Sequence, residues 1–211
     1  MMLASYLNYI YVDSGAMYRA VTLYAMQNDI ISKNHFDTQR LIEALPDITL
    51  MFQLEKESDQ ANLFLNGKNV ENEIRSIEVS QNVSRIAQLP EVRGKMVQLQ
   101  QAIGKDKGVV MDGRDIGSVV FPEAELKIFL TASAEERARR RFLEYQNKGE
   151  NISFEMVFQN VVERDRLDST REVSPLIQTP DAIVIDNTFI NTEDQFHIIL
   201  QLAKDRIAGR V

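Results

Sequence analysis

The segment Gly108-Val109-Val110-Met111-Asp112-Gly113-Arg114-Asp115-Ile116-Gly117-Ser118-Val119-Val120-Phe121 changes character in its middle. Its opening is a short apolar run with β-branched side chains, the pattern of a strand buried on both faces in a parallel sheet. Asp112, Arg114 and Asp115 follow at once, spaced by Gly113 and Gly117. Charge at that place has a meaning in open α/β sheets, because ligands bind at the carboxyl ends of the strands. An Asp-Gly pair alone is an ordinary surface turn. Two carboxylates flanking an arginine after a strand point instead to a site.

The whole chain has 211 residues, room for one substantial core and a small satellite domain. Its 44% hydrophobic and 26% charged content is that of a globular protein. No apolar run is long enough for a bilayer, and the start Met1 to Leu7 lacks the basic flank and apolar core of a secretory signal. With no cysteine, disulfides and thiolate metal sites are excluded and the cytoplasm is the default location. His35 and His197 are too few for a histidine-rich metal site. A net charge of −7 argues against a nucleic-acid polymer as partner. Yet eleven of the fifteen arginines fall between Arg75 and Arg171. Planar guanidinium forks suit phosphate, so the pattern implies a small anionic ligand.

Tyr9 to Val12 is β-prone, and Asp13-Ser14-Gly15-Ala16 leads into a helix over Met17 to Gln27 with Ser14 or Asp13 at its cap. Arg19 lies one turn inside, near enough to the helix start to share an anion with backbone N–H groups. A surface helix over Ser32 to Leu45 ends at Pro46-Asp47. Short strands follow at Ile48–Leu54, Ala61–Leu65 and Lys68–Val70, with Asn66-Gly67 as a hairpin signal. Such local antiparallel pairing reads as a small lobe inserted into a larger α/β body. Ile77 to Gln88 has helical spacing, Pro90 interrupts, and Val92 to Ile103 resumes it; Arg75, Ser84 and Arg93 lie along this region. Gly104-Lys105-Asp106 fails as a phosphate loop, since Leu99 replaces the first glycine and Asp106 the hydroxyl.

Beyond Phe121-Pro122, Leu126 to Leu130 is another apolar strand, and Ser133-Ala134-Glu135-Glu136 has capping-box spacing. The helix it opens carries Arg137, Arg139, Arg140 and Arg141, with Arg137 and Arg141 one turn apart. The polar Asn147 to Asn151 has the composition of a closing lid. A helix over Phe154 to Asp168 places Arg164, Asp168 and Arg171 on one face if it continues. Ala182 to Ile185 is the last strand, with Asp186-Asn187-Thr188 as its exit. Glu193 to Ile207 is an amphipathic helix.

These pieces together resemble the bacterial cytidylate kinases. The resemblance rests on Asp13-Ser14-Gly15-Ala16-Met17-Tyr18-Arg19, on Glu73-Ile74-Arg75, and on Asp112-Gly113-Arg114-Asp115-Ile116-Gly117-Ser118-Val119-Val120-Phe121-Pro122. Glu136-Arg137-Ala138 and Glu163-Arg164-Asp165, through Arg171 to Ser174-Pro175-Leu176, complete it. It implies a P-loop kinase fold: a parallel sheet flanked by helices, with a small antiparallel insertion in the monophosphate-binding lobe. The lobe falls at 32–103, the α/β core at 1–31 and 104–211, and the lid at about 137–152. The implied reaction moves the γ-phosphate of ATP to CMP or dCMP with Mg²⁺. By position Arg19 and Arg114 hold the acceptor phosphate. Ser14 and Asp168 meet the sugar with Arg164 nearby, while Ser84, Arg93, Asp115 and Arg171 read the cytosine. Arg137 and Arg141 come from the lid onto the transferring phosphate, and Asp112 orders the metal's water shell. Such an enzyme is a monomer when intact.

The family pattern also begins with a strand, a glycine-rich loop ending in Lys and Ser or Thr, and a helix; the sequence starts at what reads as the end of that helix. The resemblance therefore implies an N-terminally shortened chain, unstable or prone to associate, whose ATP-phosphate ligands are unknown. A second reading follows, a non-catalytic cytidine-nucleotide-binding chain. A metal-dependent phosphohydrolase built on Asp112 and Asp115 lacks a third carboxylate and a nucleophile.

Overall fold

A short helix α1 (Met2–Leu7) leads through left-handed Asn8 into strand β1 (Ile10–Asp13). Asp13 ends that strand and caps the next element, its carboxylate accepting from the Ala16 N–H at 3.0 Å, so α2 (Ser14–Gln27) starts with no intervening loop. These coordinates are a computed structural model that describes residues 1–54 and 61–210. Helix α3 (Thr38–Ala44) is shorter than the expected span of Ser32 to Leu45. Asp37 takes its cap by accepting from the Arg40 N–H at 3.0 Å, and residues 31 and 36 close a backbone bridge before it. Polar side chains that compete for backbone donors override the helical spacing there.

Strands β2 (Leu50–Leu54), β3 (Ala61–Leu65) and β4 (Lys68–Asn69) pair antiparallel in that order. Asn66 and Gly67 both have positive φ, 48° and 80°, as a two-residue hairpin turn of the primed type requires. Helix α4 (Ile77–Ile86) is capped by Ser76. Pro90 opens α5 (Pro90–Ile103) rather than interrupting a helix, because a first-turn proline gives up an N–H that has no partner anyway.

Strand β5 (Val109–Asp112) runs parallel to β1, with Ile10 opposite Val109 and Asp13 opposite Asp112. Val109, Val110 and Met111 are half-buried, which corrects the expectation of burial on both faces. The strand has one hydrogen-bonded neighbour and is an edge among the described residues. After it, a π-helical turn at Ile116–Val120 returns the Val119 and Val120 N–H groups to the Asp115 carbonyl at 2.9 and 3.2 Å.

Residues 1–120 form one compact unit and residues 121–211 a second. The first unit is centred on α2, whose Ala16, Met17, Ala20 and Val21 are sealed among Leu41, Ile48, Leu63, Ile74, Ile86 and Met96. Each large apolar side chain so buried contributes about 1.5–3 kcal/mol relative to exposure. In the second unit, β6 (Ile128–Thr131) and β7 (Ile183–Asp186) pair in parallel. Helices α6 (Ala134–Asn147) and α7 (Phe154–Thr170) pack as a hairpin around Ala138, Tyr145, Val157 and Val161, with Phe142, Phe154 and Phe158 in ring contact. The polar Asn147 to Asn151, expected as a lid, is the connection of this hairpin, turning at Gly149 with φ 74°. Helix α8 (Thr192–Ile207) closes the chain. The architecture is therefore that of parallel strands flanked by helices, with a small antiparallel sheet inserted, as expected. No described helix is long and apolar enough to cross a membrane.

Candidate active site

In the first unit the parallel register of β1 and β5 sets charged groups side by side. Tyr11 and Asp13 point to the same face of β1, two residues apart, and Asp13 lies opposite Asp112. The Tyr11 hydroxyl donates to Asp112 Oδ1 at 2.9 Å. Asp112 is held above the ordinary carboxylate range, first by the protein atoms crowding it and then by the Asp13 charge, although its surface stays open to solvent. Arg19 from α2 donates to Asp13 Oδ2 at 2.5 Å, and Arg75 brings its guanidinium within 4.0 Å of the same oxygen. Asp13 and Tyr11 are not among the expected site residues, and Arg75 is expected only as a neighbour of Ser84 and Arg93; the two-residue step on a strand is the signal that links the first two.

Ser14 is buried at the first position of α2. The loop after β5 passes so close that a Cβ on Gly113 would sit 2.2 Å from Ser14 Oγ and 2.9 Å from the Ile116 side chain. Only glycine permits that approach. Arg114, next along, is exposed, and Asp115 turns inward, fixed by the π-helical turn that its own carbonyl anchors. Its carboxylate makes a salt bridge with Arg93 of α5. Arg93 also donates Nη1 to the Ala87 carbonyl at 3.2 Å and stands 5.4 Å from the Tyr18 ring centre. Its Nε is buried and has no hydrogen-bond acceptor among the described residues. Ser84 is half-buried on α4. The first unit thus assembles two groups, Asp13–Arg19–Arg75 and Arg93–Asp115.

The second unit distributes its arginines among separate tasks. Ser133 caps α6 by accepting from the Glu136 N–H at 3.1 Å. The Glu136 carboxylate does not complete the capping box; it accepts from Arg139 at 3.0 Å and Arg140 at 2.9 Å. Arg140 further binds the Asn187 carbonyl at 2.7 Å, tying α6 to the loop after β7. Arg137 reaches back to the Ala132 carbonyl at 3.0 Å and grips Asp165 of α7 with both tips of its fork, at 2.8 and 2.7 Å. Arg141 lies 5.9 Å from the Tyr145 ring centre. Helix α7 stops at Thr170, so Arg171 is not on a helical face, yet it comes to Asp168 at 3.4 Å and donates Nε to the Ser174 carbonyl at 2.6 Å. Arg164 approaches the other Asp168 oxygen at 3.8 Å. Arg164, Asp168 and Arg171 are brought together as expected, Asp168 and the Arg171 side chain being buried.

No group of three or more His, Cys, Asp or Glu side chains able to hold a metal occurs among the described residues. Mg²⁺ keeps most of its waters and takes one or two carboxylates beside phosphates, and Asp112, exposed at the end of β5, is a carboxylate that could hold such a water. Tyr11 commits one oxygen of Asp112, and the other remains for such a water.

The cytidylate kinase family model matches residues 1–205. The cytidylate kinase of Flavobacterium johnsoniae is 57% identical over 203 residues, covering 96% of this chain and 88% of that protein. That of Flavobacterium psychrophilum is 53% identical over 203 residues, with 96% and 90% covered. That of Phocaeicola vulgatus is 55% identical over 193 residues, with 92% and 84% covered.

Proposed function

The chain belongs to the cytidylate kinase family of phosphotransferases, and from that membership we propose that it moves the γ-phosphoryl group of ATP to CMP or dCMP, giving CDP or dCDP. In the first unit Arg19 and Arg114 bind the acceptor phosphate, Ser14 meets the sugar, and Ser84, Arg93 and Asp115 read the base. In the second, Arg137 and Arg141 neutralise the transferring phosphoryl group, Asp168 and Arg164 serve the sugar, and Arg171 the base. Residues 32–103 form the monophosphate lobe. The reaction takes place in the cytoplasm, on small nucleotides and not on a nucleic-acid polymer.

The observation that supports this reading best is the buried Arg93–Asp115 pair with its uncommitted Nε donor. Cytosine presents acceptors at O2 and N3 and donors at N4, the complement of a guanidinium beside a carboxylate. Uracil inverts that order at N3 and position 4. Packing holds the pair in place, so a base that reaches its small exposed edge meets fixed groups, and a wrong base would leave buried groups unpaired. Phosphoryl transfer asks a protein mainly for positioning and neutralisation of charge, which arginines on separate elements supply. Mg²⁺, when bound, adds charge neutralisation at the phosphates, with Asp112 holding one of its waters. A coupled assay with ATP, Mg²⁺ and CMP tests the proposal. CDP formation that depends on CMP supports it; CMP binding with no turnover contradicts it.

A further inference from the structure

Among the residues with positive φ that are not glycine, Asn8, Asp29 and Asn66 belong to types that enter the left-handed region readily. Ser174 does not, yet its φ is 51°. It also precedes Pro175, and a proline pushes the residue before it toward extended backbone. Two local preferences are therefore overruled at one position. What overrules them is the bonding of the segment that leaves α7. The helix ends with the Arg171 N–H on the Leu167 carbonyl at 3.2 Å, and Arg171 itself turns out of it with ψ 145°. Further on, the Leu176 N–H returns to the Asp168 carbonyl at 2.8 Å. The turn between them brings the Ser174 carbonyl to Arg171 Nε at 2.6 Å, and Arg171 Nη1 meets Asp168 Oδ1 at 3.4 Å.

We infer that Ser174 is a positioning residue for base recognition, its left-handed backbone aiming its own carbonyl at Arg171 Nε. The inference rests on the assignment of Arg171 to the base proposed above, and adds the residue that sets that arginine's direction. Rotation about the Ser174 N–Cα bond carries the carbonyl with it, so the extended backbone that a proline favours would swing this oxygen away from Nε. With Nε held by Ser174 and Nη1 by Asp168, two donors of one rigid fork are fixed, and the guanidinium plane with them. The Arg171 side chain is only 5% exposed, so its rotamer freedom is lost before a ligand arrives. A fork that cannot turn distinguishes an acceptor from a donor at N3 of a pyrimidine, whereas a mobile one could adjust to either. Sparsely populated backbone conformations persist where surrounding contacts over-determine them, as the bonds to Arg171 and from Leu176 do here. The role belongs to the carbonyl and not to the serine hydroxyl, so variants at this position are graded by their tolerance of positive φ.

Calorimetric titration of the full chain and its variants with CMP and with UMP reads the ratio of the two affinities. Ser174→Gly and Ser174→Asn, the conservative variants that accept positive φ, are expected to keep the wild-type ratio. Ser174→Val drives the backbone out of that region and is expected to lower the ratio roughly threefold or more, the worth of one hydrogen bond. Arg171→Met should lower it at least as far. An unchanged ratio in Ser174→Val beside a lowered one in Arg171→Met overturns the inference and leaves Arg171 as a reader of the base. A parallel loss of CMP and UMP affinity in Ser174→Val overturns it too, since a purely structural turn would weaken both alike. Ser174→Ala, a milder obstacle to positive φ, gives the same comparison if thermal unfolding shows the valine variant to be misfolded. If Arg171→Met leaves the ratio unchanged, the assignment of Arg171 to the base fails first and this inference falls with it.

Discussion

Two arginine–aspartate pairs illustrate opposite uses of the same chemistry. In the first unit Arg93 and Asp115 have side chains only 3% and 5% exposed, whereas in the second Arg137 and Asp165 remain 35% and 33% exposed. A buried pair has lost its hydration and must keep its partner, so it is a fixed feature of the unit. An open pair is screened by water and is worth about 0–1 kcal/mol, so its arginine can be released to a better anion. The contrast matches the proposed tasks. Reading a base calls for donors and acceptors that do not move, while stabilising a transferring phosphoryl group calls for an arginine whose carboxylate partner can be exchanged for the phosphoryl oxygens.

Removing one partner of the sealed pair has the largest expected effect on stability. Arg93→Met leaves Asp115 buried and uncompensated, at a cost of about 3–5 kcal/mol. Urea unfolding measures it, and a loss below about 1 kcal/mol would show that water reaches the pair. Gly113→Ala comes next. The new Cβ would lie 2.2 Å from Ser14 Oγ, so the loop or the serine must shift, at about 1–3 kcal/mol, with weaker CMP binding as its companion. Unchanged CMP affinity in that variant would separate Ser14 from the nucleotide.

Asp112→Asn carries a smaller effect of opposite sign. The Asp112 pKa is raised, first by crowding protein atoms and then by the Asp13 charge, so the folded state holds its proton more tightly than the unfolded chain. The penalty is absent below the unfolded value near 3.9, builds as pH rises from there to the higher folded value, and is complete above it. Asp112→Asn should therefore raise Tm at pH 7, with the gain gone at about pH 4. A gain that persists in acid would mean that charge is not its cause. Arg137→Ala has the smallest effect on stability, about 1 kcal/mol or less by thermal unfolding. Its kcat, by contrast, should fall by about 10³-fold or more, as for arginines that stabilise phosphoryl transfer. Loss of stability with unchanged kcat would reverse the assignment of the open pair.

Local signals in the sequence suffice where one residue decides the backbone. The caps at Asp13 and Ser133 and the Asn66-Gly67 turn lie where their chemistry places them. The helix over Ser32 to Leu45 was overestimated because Asp37 competes for the cap from within the periodic segment. Burial of β5 was overestimated because an apolar run does not reveal how many neighbours a strand has. The Asp112–Arg114–Asp115 segment lies at the end of β5, as its pattern implies, yet the sequence names none of its partners. Tyr11 and Asp112 are 101 residues apart and Arg93 and Asp115 are 22 apart, separations that leave no periodic trace. Arg137 and Asp165 meet only because α6 and α7 fold back as a hairpin. Which arginines are sealed and which are open is a property of packing, and no residue type encodes it.

The sealed pair as a reader of cytosine is tested most directly by titrating the wild-type chain and Asp115→Asn with CMP and UMP. The wild type should prefer CMP by at least about tenfold, and Asp115→Asn should lose most of that preference. Equal affinity of the wild type for CMP and UMP would contradict the account.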